Sequence, residues 1–206
     1  MVKGTIVDYV GRASTAMTLE RRSSGGDRLW VVSPDHNKVS AFTTSTGAKV
    51  DITVGEEPRA VAVSFNGTIG VVNKRSATVS LIDPKTLRVL RTVTLPRGSQ
   101  PHGLVFSPDG ATGYVALEGS GQVARFATAN AALGAVISIG GTPRHLAIKG
   151  DGLYLAVSKF VTPLQVGEAT ATVDVSQGGA EVVAVDLINN SILKTIVLKH
   201  STALDT

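Results

Sequence analysis

Hydrophobic residues along this chain occur in short runs, many of which alternate with polar residues, and turn-forming residues separate the runs. Alternation with a period of two places every second side chain on one face of a strand, so these runs predict β-strands. The separators include Asn66-Gly67, Asp109-Gly110 and Asp151-Gly152, which favour tight hairpin turns. Helical periodicity is absent. The pattern therefore predicts an all-β protein of antiparallel strands joined by short turns.

The strands belong to a repeated unit. Three matching segments carry the prolines Pro58, Pro101 and Pro143, which are 43 and 42 residues apart. Three further apolar runs follow in each unit, and an earlier copy precedes them. A period of about 42 residues with four strands is typical of a β-propeller blade. We therefore expect residues 1–206 to form a single β-propeller domain of about four four-stranded antiparallel blades. The expected blades are about 14–54, 59–95, 102–139 and 144–198.

Some of these segments are similar to a known family. They are VVN at 71–73, TVSLID at 78–83 and the proline-led strand that ends in SPDG at 101–110. They resemble the YVTN-type β-propeller repeats, a WD40-like group of bacterial and archaeal surface and periplasmic proteins, and the likeness covers most of 12–198. The resemblance implies a periplasmic or extracellular location for the native full-length protein. The residues themselves leave the compartment open, because they contain neither a signal-peptide core nor a membrane-spanning apolar run.

The number of repeats departs from the family pattern. The family usually closes rings of seven or so blades, whereas four copies are visible here. We expect an incomplete ring, a four-bladed ring, or a larger ring completed by a second copy of the chain, since an open stack leaves apolar faces unpaired at its ends.

Composition narrows the possible functions. The formal charge of +4 is spread along the chain, and the nine aromatic residues form no strip with basic residues, which argues against nucleic-acid binding. The absence of cysteine excludes disulfides, thiolate metal ligands, a cysteine nucleophile and covalent haem attachment. Common catalytic motifs, including the Gly-x-Ser-x-Gly elbow and His-Glu-x-x-His, are missing as well.

The residue after each repeated proline is basic or can become so. These residues are Arg59, His102 and Arg144. If they surround one mouth, they favour a ligand with an anionic or carbonyl group. Alternatively, they cap the starts of their strands. His145 follows Arg144 and is expected to face the other way as a packing residue. His102 and His145 are the candidates for acid–base chemistry if the protein is an enzyme.

An insertion interrupts the fourth repeat between its second and third strands. It spans 159–179 and carries Glu168 and Asp174, which are candidate ligand-binding residues. Long excursions of this kind are often lids, binding loops or contacts with another chain. The alternative is a β-hairpin that covers a sheet edge, for which ATATVDV has the required alternation.

Two polar residues at the ends of second strands are candidate metal ligands. Asn73 and Glu118 lie one blade apart, and propeller lactonases hold calcium with such residues from different blades. Asp35 and Glu57 are further possible contributors. The alternative is that Asn73 and Glu118 cap the loops that follow them. Calcium is accordingly the candidate cofactor.

Three functional hypotheses follow. The first is a binding or scaffold module that presents loops and an axial mouth to a protein or a small ligand. The second is a metal-dependent hydrolase of lactone type, acting for example on an acyl-homoserine lactone. The third is an accessory domain of a cytochrome-linked redox protein. Whether the protein is an enzyme is left open at this point.

Overall fold

The computed structural model describes residues 13–160 and 180–198. They form sixteen strands in four sheets, which we number in chain order. Sheet 1 contains β1 (Met17–Glu20), β2 (Arg28–Ser33), β3 (Lys38–Thr43) and β4 (Lys49–Thr53). Sheet 2 contains β5 (Pro58–Val63), β6 (Ile69–Asn73), β7 (Thr78–Asp83) and β8 (Arg88–Thr94). Sheet 3 contains β9 (Pro101–Phe106), β10 (Thr112–Leu117), β11 (Gln122–Ala127) and β12 (Leu133–Ser138). Sheet 4 contains β13 (Thr142–Ile148), β14 (Tyr154–Phe160), β15 (Glu181–Asp186) and β16 (Ser191–Val197).

Every sheet is a meander of four antiparallel strands in chain order. This arrangement confirms the predicted all-β class and the four-stranded unit. The first strand of each sheet packs on the sheet before it: β5 contacts β1 and β2, β9 contacts β5 and β6, and β13 contacts β9 and β10. The four sheets are therefore stacked face to face in sequence order. A short 3₁₀ helix, Pro34–His36, joins β2 to β3, and no helix in the described ranges is long and apolar enough to span a membrane.

Three hydrophobic cores lie between successive sheets. Trp30 and Val39 of sheet 1 pack with Val61 of sheet 2. Val72 of sheet 2 packs with Leu104 of sheet 3 in the second core. The third core joins sheets 3 and 4, and its members include Val105, Tyr114, Leu146 and Val157. Burial between sheets is the main source of stability in such a stack, because each four-stranded sheet has few contacts of its own beyond hydrogen bonds.

An extra residue distorts the start of the first strand in sheets 2, 3 and 4. The pairing register shifts between Pro58 and Ala60 and between Pro143 and His145, and β9 carries one residue more than β10 between Pro101 and Leu104. Such bulges redirect a side chain away from the regular alternation. The residues concerned lie directly after the repeated prolines, where the candidate site was predicted.

The segment Ala13–Ala16 connects sheets that are distant in sequence. Ser14 donates its backbone N–H to the Leu146 carbonyl at 2.8 Å and accepts the Leu146 N–H on Oγ at 2.9 Å. The Val61 N–H donates to the Thr15 carbonyl at 2.9 Å, and the Val32 N–H donates to the Ala16 carbonyl at 3.1 Å. The segment thus lies along the first strands of sheets 2 and 4. The candidate residues Arg59 and His145 lie near the starts of the same two strands.

Candidate functional site

The backbone is unusual just before two of the bulges. Glu57 and Gln100 each precede a repeated proline and have left-handed φ angles of 56° and 45°. Residues with a Cβ rarely adopt this conformation, and when they do they often adjoin a site. Glu57 is held there partly by its N–H, which donates to Asn37 Oδ1 at 2.9 Å. The two turns fix how Arg59 and His102 leave the starts of β5 and β9.

All four sheets contribute to one cavity near these strand starts, which we call the inner pocket, and sheets 2, 3 and 4 supply its basic side chains. Arg59 comes from sheet 2, His102 from sheet 3 and His145 from sheet 4, and the cavity has a volume of about 240 Å³. The rest of its wall consists of Thr15, Ala16, Val32, Pro34 and Ala60. Arg59 also lines a larger cleft of about 520 Å³ together with Pro34, Asp35, Asn37, Glu56, Glu57 and Arg75.

The position of His145 differs from the sequence prediction. It is exposed rather than packed in a core, and its ring lies edge-on to that of His102, with the centroids 5.1 Å apart. Its Nδ1 is 3.5 Å from Ser14 Oγ. The bulge between Pro143 and His145 is the physical reason, because the added residue upsets the simple alternation on which the prediction relied.

The polar atoms of the inner pocket are only partly satisfied. Glu57 forms an ion pair with the NH2 end of the Arg59 guanidinium. Arg59 Nε and His102 Nδ1 are buried and have no hydrogen-bond partner among the described residues. Burial lowers the pKa of His102 to about 4, and the neighbouring His145, Lys74 and Arg144 add to the shift, while Glu118 opposes it. His102 is therefore neutral at pH 7.

Arg144 does not line the inner pocket. Its Nε donates to Glu118 Oε1 at 2.7 Å, and its guanidinium lies 4.0 Å from the centroid of the Phe160 ring. Lys74 donates to the other oxygen of the same carboxylate, Glu118 Oε2, also at 2.7 Å. We call Lys74, Glu118 and Arg144 the ionic triad. It joins sheets 2, 3 and 4, and the Glu118 side chain is only 9% exposed.

The ionic triad fixes the charge of Glu118. Burial by itself would raise the pKa of this carboxyl, but the hydrogen bonds from Lys74 and Arg144 outweigh it, and the pKa is lowered. Glu118 is thus a stable anion at neutral pH, with both oxygens engaged by cations. Because two positive charges flank it, the surroundings of His102 carry a net positive charge.

The predicted metal ligands Asn73 and Glu118 make different contacts in the structure. Asn73 is fully buried, and its Nδ2 donates to the hydroxyls of Thr78 and Ser80 at 3.0 Å each. It therefore braces its own hairpin, while its buried Oδ1 has no hydrogen-bond partner among the described residues. Both oxygens of Glu118 are engaged by the cations of the ionic triad. Within residues 13–160 and 180–198, no three His, Asp or Glu side chains are grouped as metal ligands. Glu168 and Asp174 lie outside the described residues.

Sequence reasoning missed two parts of the site. Lys74 follows Asn73, which pairs with Pro58, just as Glu118 follows Leu117, which pairs with Pro101. Lys74 and Glu118 carry opposite charges at the same position of the repeat, and this was the available signal for their ion pair. No signal in the sequence pointed to Thr15 and Ala16 as part of the pocket, because they lie far from it along the chain.

The fold matches several solved structures. The chain superposes on hydrazine synthase from Kuenenia stuttgartiensis with a TM-score of 0.75 and 22% identity, over 98% of this chain and 54% of that one. Virginiamycin B lyase from Staphylococcus aureus gives a TM-score of 0.66 and 13% identity, over 93% and 57%. Dihydro-heme d1 dehydrogenase NirN, in complex with DHE, gives a TM-score of 0.64 and 12% identity. That match covers 90% of this chain and 38% of the NirN chain.

The four sheets are blades of a β-propeller. At these identities the likeness shows the fold alone. The chain spans about half the length of the first two of these solved chains, which agrees with an incomplete propeller. No family model matches the sequence, and no curated protein matches it.

Proposed function

We propose that this chain is a ligand-binding β-propeller module, of the YVTN type that its repeats resemble, and that the inner pocket takes a small molecule with a carboxylate or carbonyl oxygen. The observation that carries the proposal is the convergence of Arg59, His102 and His145 from three sheets on one cavity. Strand starts brought together from successive blades are a common place for a propeller ligand, since side chains there come from rigid elements.

The unsatisfied atoms indicate the chemistry of the ligand. Arg59 Nε can only donate a hydrogen bond, so it requires an acceptor such as an oxygen. The neutral ring of His102 can donate or accept, according to its tautomer, and supplies a second contact. A buried polar atom without a partner costs about 1–3 kcal/mol, and a ligand oxygen at Arg59 would remove that cost. The nearby net positive charge further favours an anion.

The size of the pocket limits the ligand. At about 240 Å³ it is smaller than the range of roughly 300–1,000 Å³ that is typical for drug-sized molecules. A short carboxylic acid or a small cyclic ester fits this limit better than a long-chain substrate. The larger cleft carries three acidic groups, Asp35, Glu56 and Glu57, against two arginines, Arg59 and Arg75, so its net negative charge disfavours an anion there.

The test is a binding measurement with a panel of short carboxylates and lactones, by ligand-observed NMR and calorimetry. We expect binding of at least one carboxylate to the unmodified protein. Arg59→Gln is expected to weaken it about 10-fold or more, since a hydrogen bond to a charged group contributes about 1.5–3 kcal/mol. Arg75→Gln is the matched control, because Arg75 lines only the larger cleft.

Two outcomes would contradict the proposal. One is the absence of binding by every compound of the panel, and the other is equal affinity in Arg59→Gln and in the unmodified protein. The lactones in the same panel also test the hydrolase hypothesis. Hydrolysis that requires added calcium would favour that hypothesis over a binding module. The redox-accessory hypothesis likewise stays a prediction, since the solved structures share only the fold.

A further inference from the structure

The turn between the first and second strands has the same backbone form in sheets 2, 3 and 4. In sheet 3, Asp109 Oδ1 accepts hydrogen bonds from the Ser107 hydroxyl and from the Ala111 N–H, the latter at 3.0 Å. The Gly110 N–H donates to the Ser107 carbonyl at 2.8 Å and closes the turn. Sheet 4 repeats the pattern around Asp151, whose Oδ1 accepts a backbone N–H at 3.0 Å. The turn thus holds an acidic side chain over its own backbone.

Sheet 2 has an amide where the other two sheets have a carboxylate. Asn66 Oδ1 accepts hydrogen bonds from the Ser64 hydroxyl and from the Thr68 N–H, the latter at 3.2 Å. The Gly67 N–H donates to the Ser64 carbonyl at 2.9 Å. Asn66 is exposed, and it alone among the six asparagines of the sequence precedes a glycine. The fold therefore presents one Asn-Gly pair to solvent, in a turn that elsewhere carries aspartate.

An asparagine followed by glycine can react with its own backbone. The Gly67 nitrogen gives up its proton to hydroxide and attacks Cγ of Asn66, and Nδ2 takes up a proton and leaves as ammonia. The product is a five-membered cyclic imide, which one water molecule opens to aspartate or isoaspartate. The reaction consumes water and releases ammonia, and it needs no other reagent. Glycine permits the attack because it has no Cβ to hinder the approach of its nitrogen.

The contacts of Asn66 favour this attack. Negative charge develops on Oδ1 as the nitrogen adds to Cγ, and the Ser64 and Thr68 donors are placed to stabilise it. The Nδ2 leaving group is held by a hydrogen bond to the Gly110 carbonyl at 3.3 Å. The bond from the Gly67 N–H to Ser64 opposes the reaction, because it has to open first. Exposed turns open without unfolding of the core, so this bond slows the conversion and does not prevent it.

We propose that Asn66 is a site of spontaneous covalent modification, where the side-chain amide cyclises onto the Gly67 nitrogen and opens to aspartate or isoaspartate. The product aspartate fits the turn, since Asp109 makes the same two contacts in sheet 3. The reaction also removes the Nδ2 donor from the Gly110 carbonyl and adds a negative charge beside the turn of sheet 3. The modification therefore weakens the contact between the turns of sheets 2 and 3.

The two aspartates at the same position are internal controls. The hydrogen bond from the Ser107 hydroxyl is the main cause that lowers the pKa of Asp109, so this carboxyl is ionised at neutral pH. The pKa of Asp151 is lowered as well, mainly by the hydrogen bond from Lys149. A carboxylate resists attack by the backbone nitrogen, since it already carries negative charge on its oxygens. Of the three turns, only that of Asn66 is expected to react.

Mass spectrometry of the folded protein tests this proposal. The protein is incubated at neutral and at mildly alkaline pH in water enriched in heavy oxygen, and its peptides are then mapped. Asn66 is expected to become aspartate and isoaspartate with a heavy oxygen atom incorporated. The conversion is expected to be faster at the higher pH, because the attacking nitrogen must lose its proton. Asp109 and Asp151 are expected to stay unlabelled and free of isoaspartate.

Two reciprocal variants test the role of the glycine. Gly67→Ala is expected to slow the conversion of Asn66 at least several-fold, because a Cβ hinders the attacking nitrogen. Asn130 is the matched asparagine, since it is exposed and its Oδ1 accepts a backbone N–H two residues on, at 3.1 Å, but it precedes Ala131. Ala131 has a φ of 60°, which suits glycine, so Ala131→Gly keeps the fold and is expected to make Asn130 reactive.

Three results would overturn the proposal. The first is an intact amide at Asn66 in the folded protein after an incubation long enough to convert the urea-unfolded chain. The second is conversion of Asn66 at an unchanged rate in Gly67→Ala. The third is formation of isoaspartate at Asp109 as fast as at Asn66, which would show that the amide is not the reactive feature.

Discussion

Phe126 in sheet 3 and Phe42 in sheet 1 are the same residue at the same position of the repeat, yet their surroundings differ. Phe126 is 1% exposed and packs edge-on against Phe106, with the centroids 6.2 Å apart. Phe42 is half-buried, and the cation of Lys49 lies 5.8 Å from the centre of its ring. Burial of a side chain in this fold therefore depends on whether a neighbouring sheet covers it, and much less on its own strand.

Ion pairs also differ in how far they are buried. The ionic triad joins the interior sheets to sheet 4, and its central carboxylate is 9% exposed. The Lys49–Asp51 pair of sheet 1 has side-chain exposures of 48% and 36%. The buried triad bridges sheets, whereas the exposed pair is solvated and contributes little. Sheet 1 also has a buried pair, Arg28–Glu20, with exposures of 11% and 9%, so the burial of an ion pair follows its local surroundings.

The largest expected effect is on the two phenylalanines. Phe126→Ala is expected to lower the free energy of unfolding by about 3–5 kcal/mol, because it leaves a cavity in a close-packed core. Phe42→Ala is expected to cost less than about 1.5 kcal/mol, since part of this side chain is already exposed to water. Urea unfolding measures both. Equal losses would contradict the difference in burial between the two rings.

An intermediate effect is expected at the ionic triad. Glu118→Gln is expected to cost about 2 kcal/mol at pH 7, because it leaves two partly buried cations without their anion. Glu56→Gln is the control: it breaks a pair with Arg75 whose side chains are 60% and 77% exposed, and should cost under about 1 kcal/mol.

The pH dependence of this effect follows from the lowered pKa of Glu118. The stabilisation is present above the unfolded pKa, about 4.3, and is lost as the pH falls through the folded value. Glu118→Gln should therefore approach the stability of the unmodified protein in strong acid. A difference that is constant from pH 7 to pH 3 would argue against the charge as its cause.

At neutral pH the smallest effect is expected at His102, because its lowered pKa changes the stability only in acid. Its folded pKa of about 4 lies below the ordinary value of 6.5, so the unfolded chain takes up a proton first. Stability should fall as the pH is lowered from about 6.5 to 4 and show no further loss from this group below that. His102→Asn should flatten this slope, whereas His36→Asn in an exposed turn of sheet 1 should retain it. Melting temperatures across this range give the measurement, and an unchanged slope in His102→Asn would refute the assignment.

The sequence was informative wherever a property repeats. The prolines 42 and 43 residues apart, the alternating strands and the Asn-Gly and Asp-Gly turns determined the four-stranded unit, because strand pairing and turn geometry are local. The residues after the prolines were found for the same reason. Arg59 and His102 do share one pocket, but Arg144 joins Glu118 and Phe160 instead, and no local rule separates these outcomes.

Only the tertiary structure decided how the repeats meet. It placed Ala13–Ala16 against the first strands of sheets 2 and 4, turned His145 toward His102, and surrounded Glu118 with cations from two other sheets. It also gave Phe42 and Phe126 different degrees of burial, although no local sequence pattern distinguishes the two residues. The physical reason is that strands arise from neighbours along the chain, whereas burial, pKa shifts and pockets arise from the packing of one sheet on the next.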